Sequence, residues 1–161
     1  LLLDAEDYLK FCPKRKSGRG NLFCYVLDMA PQKQSIINRI VKDTGKNAFE
    51  SMPALPSDTY NLYGDIEKCV YPPVENWLSA FNEADMIVTD SFHGTVFSII
   101  FNKPFYVIGN EGRGLARFQS LLSMFGLEDR LIKTPENSEI TDCDINYDVV
   151  NKNKNKYNST K

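Results

Sequence analysis

The chain has 161 residues, 42% of them hydrophobic and 12% aromatic, with 19 basic and 21 acidic residues and a net charge of −2. That balance suits one ordinary soluble domain with a proper core. It argues against a nucleic-acid surface, which needs clustered Lys and Arg, and the apolar run Val96–Phe101, interrupted by Ser98, is far too short to span a bilayer.

Cys12, Cys24, Cys69 and Cys143 are scattered without a CxxC pair, so neither metal ligation nor a disulfide framework is expected, and a reduced, cytosolic setting is the default. The opening "LLLDAEDYLK" lacks Met and the charged-then-apolar order of a signal peptide, and it reads as a strand cut in mid-element. An excised piece of a longer protein is therefore expected.

In chain order, Asp4–Phe11 suits a short helix, and the basic, Gly-bearing "CPKRKSGRGN" reads as a solvated connector, so residues 1–21 form a linker with an interdomain helix. Leu22–Asp28 is an unbroken apolar run ending on an acid, as in strands covered on both faces. After Pro31, Ile36, Ile37, Ile40 and Val41 share one helical face that stops at Gly45. A short strand is expected near Ala48–Met52, and the Pro-, Ser- and Tyr-rich stretch to Val70 reads as loop. From Pro72, helical spacing returns with Val74, Trp77, Leu78 and Phe81.

Met86–Thr89 is then a buried strand, Thr95–Phe101 an apolar helix, Phe105–Ile108 another strand and Leu115–Phe125 an amphipathic helix ending at Gly126. Leu131 and Ile132 add a last short strand. The repeated strand–helix order predicts an α/β fold with a doubly wound, mostly parallel sheet over residues 22–140. Residues 141–161, with "NKNKNKYNST", read as a polar, partly disordered tail.

Two strand ends carry chemistry. "TDSFHGTVFSIIFNKP" holds the chain's one histidine, His93, in a turn Asp90–Gly94 between strand and helix. Ligands gather at such turns in open α/β sheets. Ser91 suits an N-cap, Gly94 permits close approach to the backbone, and the helix start attracts anions. An imidazole there binds an anion when protonated or moves a proton when neutral. The same spacing also suits a histidine that caps the helix or packs under the sheet.

The second corner is "GNEGRGLARF", where Arg113 and Arg117 fall four apart at a helix start. Arginines there oppose the helix dipole, a conflict that a bound phosphate or carboxylate relieves. Two solvated arginines, one paired with Glu111, remain the alternative. The glycine spacing is not a dinucleotide fingerprint.

"ADMIVTDSFHGTVFSIIFNKPFYVI" followed by "RGLARFQSLLSMFGLEDRLI" resembles the carboxyl half of the polysaccharide pyruvyl transferase family, as does the preceding "PVENWLSAFNEAD". The resemblance is specific over about Val70–Ile132 and looser back to Leu22. It implies a two-domain architecture like that of GT-B glycosyltransferases, with residues 22–140 as the Rossmann-like donor-binding domain and a facing amino-terminal domain as its partner. It implies transfer of the pyruvyl group of phosphoenolpyruvate to a saccharide or lipid-linked glycan as a ketal, in surface or exopolysaccharide biosynthesis. Phosphoenolpyruvate is the donor substrate, and no separate cofactor or metal is implied.

By the same resemblance His93 is the catalytic acid/base and a donor ligand. Ser91, Gly94, Arg113 and Arg117 bind the donor, and Asp90 either orients His93 or shapes the turn. The implied setting is a bacterial cytoplasm, including the inner face of the membrane, and the fragment alone is expected to be inactive. Two features depart from the family. A basic residue expected near the start of the donor domain has no clear counterpart, with Arg15, Lys16 and Arg19 as candidates, and the polar return helix that ends such domains is missing. The rival readings are a GT-B domain using a nucleotide-sugar donor and a non-catalytic anion-binding domain.

Overall fold

A computed structural model describes residues 4–12, 20–53, 70–109, 114–133 and 144–159. The elements are α1 (Ala5–Leu9), β1 (Leu22–Tyr25), α2 (Pro31–Thr44), β2 (Ala48–Phe49), α3 (Val74–Glu83), β3 (Met86–Thr89), α4 (Phe92–Ile100), β4 (Phe105–Ile108), α5 (Leu115–Phe125), β5 (Leu131–Ile132) and α6 (Tyr147–Ser159). The five strands form one parallel sheet in the order β2-β1-β3-β4-β5. The α/β, doubly wound expectation holds.

The unbroken apolar strands follow from burial on both faces. Side chains alternate along a strand, so Leu22 and Cys24 of β1, Met86 and Val88 of β3, and Tyr106 and Ile108 of β4 join one core with Ile36, Ile37 and Ile40 of α2. Phe23, Ile87, Phe105 and Val107 join the other, with Phe81 of α3, Ile99 of α4, Phe118 and Leu122 of α5 and Val150 of α6. Burial in the first core pushes the Cys24 thiol up to about 12, an inert structural cysteine.

Several elements differ from expectation, and β1 and β2 end short, at Tyr25 and Phe49. Helix α4 begins at Phe92, three residues early, because Ser91 caps it. Helix α3 begins at Val74 rather than Pro72, and Val74 itself is 67% exposed because the first turn overhangs a hollow rather than the core. Within the stretch expected as a polar, partly disordered tail, Tyr147–Ser159 folds as helix α6.

Helix α6 is anchored by a few contacts. Val150 is buried in the core, the Tyr147 hydroxyl donates to the Lys103 carbonyl at 2.5 Å, and Lys154 Nζ meets Asp4 at 2.8 Å. The expected loop up to Val70 falls largely on residues 54–69, outside the described residues. Among the described residues, no helix is long and apolar enough to cross a membrane.

The sheet order positions the site. From β1 the chain moves outward to β2, then returns past β1 to β3 and continues the other way. Winding therefore reverses between β1 and β3, and at their carboxyl ends the connections diverge to leave a crevice.

Candidate active site

At that crevice the ends of β1 and β3 are tied together side by side. The Thr89 hydroxyl donates to the Tyr25 carbonyl at 2.7 Å and accepts from the Ser91 N–H at 3.0 Å. One residue on, Asp90 is 1% exposed, and its carboxylate accepts from the Leu27 N–H at 2.8 Å and from Lys33 Nζ at 2.6 Å. Lys33, from the first turn of α2, also bonds the Asp28 carbonyl at 2.9 Å and pairs with the Asp28 carboxylate. Burial alone would lower the Lys33 ammonium, but hydrogen bonds to Asp28 and Asp90 outweigh it and hold the group above its ordinary value.

The Asp90 carboxylate is engaged by Leu27 and Lys33, contacts that shape the turn, the role expected beside that of orienting His93. At Gly94 a Cβ would fall 2.2 Å from Thr89 Oγ1, so the glycine lets α4 pack onto the end of β3. Its N–H is given to the Ser91 hydroxyl at 3.3 Å, which makes Ser91 the N-cap.

With Ser91 as cap, Phe92 and His93 are the first two residues of α4, and their N–H groups make no hydrogen bond among the described residues. This is the positive end of the helix dipole. His93 is exposed at that end rather than packed under the sheet. A hollow of about 230 Å³ adjoins it, lined by Leu27, Asp90, Ser91, Phe92, His93, Arg117 and Phe118.

Arg117 enters that hollow from the first turn of α5, with its guanidinium 5.7 Å from the centre of the Phe92 ring. Gly114 makes room for it. The glycine has φ +79, and a Cβ there would stand 2.9 Å from Arg117 Nε. His93 and Arg117, 24 positions apart in the chain, thus share one concavity because β3 and β4 are parallel neighbours. Arg113, Arg15, Lys16 and Arg19 lie outside the described residues, as do Cys69 and Cys143.

Sequence reasoning missed Thr89 and Lys33. Thr89 looks like an ordinary strand residue, and Lys33 reaches Asp90 across 57 positions of chain. The acid that ends Leu22–Asp28 was the available signal, since an acid at a strand end often meets a cation from the next helix.

A family model described as polysaccharide pyruvyl transferase matches residues 16–112. The chain belongs to that family. The match spans more than half the sequence and contains β1 to β4 with the whole His93 corner, but it stops before α5. The placing of Arg117 in this pyruvyl transferase domain therefore rests on geometry. Neither the curated proteins nor the solved structures yield a significant match to the chain.

Proposed function

We propose that the chain is the donor-side domain of a bacterial, cytoplasmic enzyme that moves the pyruvyl group of phosphoenolpyruvate onto two saccharide hydroxyls as a ketal, in surface-polysaccharide assembly. The observation that carries the reading is one hollow shared by His93, Ser91 and Arg117 in a chain of this family. A facing amino-terminal domain supplies the remainder of the acceptor side. Phosphoenolpyruvate presents a phosphate and a carboxylate. The Arg117 guanidinium suits either group through paired N–H donors, and the N–H groups that begin α4 suit the other.

The chemistry balances without a redox partner. A proton is delivered to the methylene carbon of the enol, which becomes a methyl group. A saccharide hydroxyl oxygen bonds to the neighbouring carbon and gives up its proton. The bond from that carbon to the phosphate oxygen then breaks, the electron pair leaving with phosphate. A second hydroxyl bonds in its place and loses its proton. One donor and one diol give one ketal and one phosphate, and no separate cofactor enters. His93, exposed at the mouth of the hollow, is the group we assign to the proton transfers.

The test is phosphate release by the full-length gene product given phosphoenolpyruvate and candidate saccharides. Release should require both substrates and match the ketal formed one for one. Transfer of a glycosyl group from a nucleotide sugar, with phosphoenolpyruvate inert, would replace this reading with a glycosyltransferase.

A further inference from the structure

Lys33 stands where a helix does not ask for a cation. It is the third residue of α2, at the positive end of the helix dipole, and it is 8% exposed. Both features work against stability. The dipole opposes the charge, and an ion pair taken out of water regains little of its desolvation cost, so well-packed apolar residues of similar volume often serve stability as well. The placement points to geometry instead.

What the pair fixes is visible in its partners. The Asp90 carboxylate accepts from the Leu27 N–H through Oδ1 at 2.8 Å and from Lys33 Nζ through Oδ2 at 2.6 Å. Leu27 follows β1 and Asp90 follows β3, so one carboxylate joins the two strand ends between which the winding reverses. Lys33 also bonds the Asp28 carbonyl at 2.9 Å, so the segment after β1 is gripped at two successive residues. Leu27, Ser91 and His93 all line the hollow of about 230 Å³. Asp90 is bonded to the first and directly precedes the other two in the turn. Without Lys33 the buried carboxylate must take up a proton or turn toward water, and either change weakens its hold on Leu27.

We propose that Lys33 is a positioning residue: through Asp90 it sets the spacing between Leu27 and the turn that carries Ser91 and His93, and so the placing of the imidazole against a reactant in the hollow. The inference rests on His93 being the proton-transferring group of that site. Misplacing a reacting group by about 1 Å costs on the order of 10²-fold in rate. Arg117 enters the hollow from α5, outside this link, so donor binding suffers less than turnover.

The experiment measures kcat and KM for phosphoenolpyruvate in the full-length enzyme, at a temperature where circular dichroism shows each variant folded. Lys33→Met should lower kcat roughly 10–100-fold and change KM less. In a His93→Asn background the same substitution should lower kcat by no more than about twofold, since no proton-transferring group remains to be misplaced. A merely structural role would give the same fold loss in both backgrounds. Lys33→Met/Asp90→Asn leaves no buried orphan charge and covers the case in which Lys33→Met does not fold. It keeps an acceptor for the Leu27 N–H, so its loss in kcat should be smaller, roughly 3–10-fold, and again absent in the His93→Asn background.

Wild-type kcat in the folded Lys33 variants, or equal losses in both backgrounds, overturns the positioning role. Failure of the donor reading looks different: phosphoenolpyruvate is inert and a nucleotide sugar is the donor. The same comparison on that glycosyl transfer still decides the role of Lys33, because the turn carries His93 in either reaction. An enzyme inert with both donors removes both claims.

Discussion

His93 stands where three features of the chain meet: the cap made by Ser91, the two N–H groups that open α4, and the hollow that Arg117 enters. If the imidazole transfers a proton, His93→Ala in the full-length enzyme should lower turnover by roughly 10²–10⁴-fold. His93→Asn keeps a polar contact without a titrating group. Turnover near normal in the Asn variant would leave His93 a ligand only.

Arg117 is argued to bind rather than to react. Losing its charge-assisted hydrogen bonds, worth about 1.5–3 kcal/mol, should raise KM for phosphoenolpyruvate roughly 10–100-fold in Arg117→Ala, with a smaller change in kcat. Gly114→Ala should copy the defect in part, since the added methyl falls against Arg117 Nε on a strained backbone. Unchanged KM in both variants would remove Arg117 from the donor site.

At the scale of elements, the Lys33–Asp90 pair joins the start of α2 to the turn that presents Ser91 and His93. The Asp90 side chain is fully buried, so Lys33→Met leaves a buried carboxylate without its cation, a change that typically costs 3–5 kcal/mol. The Lys33 ammonium is held above its ordinary value of 10.5. A raised lysine contributes its full stability below the unfolded value and loses it as pH climbs through the folded one. The gap in melting temperature between the wild-type chain and Lys33→Met should thus be steady at neutral pH and close on the alkaline side of about 10.5. A gap that stays constant into strong alkali would show that the pair does not hold this corner.

Elements with an unbroken apolar run or a clean helical stripe were legible from sequence: β3, β4, α2 and α5 stand where spacing puts them, and β1 starts at Leu22 as expected but ends at Tyr25 rather than Asp28. The start of α4 was legible from Ser91 as a cap and not from hydrophobic periodicity, which puts it at Thr95. The Lys33–Asp90 pair was illegible for another reason. Lys33 and Asp90 each look like surface residues until parallel pairing of β1 and β3 brings their neighbourhoods together. Helix α6 hides behind Asn and Lys because a few anchoring contacts, Tyr147 and Val150 among them, hold it.

At the scale of the whole molecule, the winding reversal between β1 and β3 explains why a single helix start can face two hollows. Connections leave in opposite directions from adjacent strands, so space opens on both sides of His93, polar toward α5 and aromatic toward α3. The central claim is that an anionic donor sits in the polar one. His93 is the chain's only histidine, so its imidazole Cε1–H resonance is unambiguous in a proton spectrum. Titration of the chain with phosphoenolpyruvate should move that resonance saturably, and Arg117→Ala should weaken the apparent affinity by roughly 10-fold or more. Saturable binding of phosphoenolpyruvate that leaves the His93 resonance in place, with Arg117→Ala indistinguishable from wild type, would contradict the account.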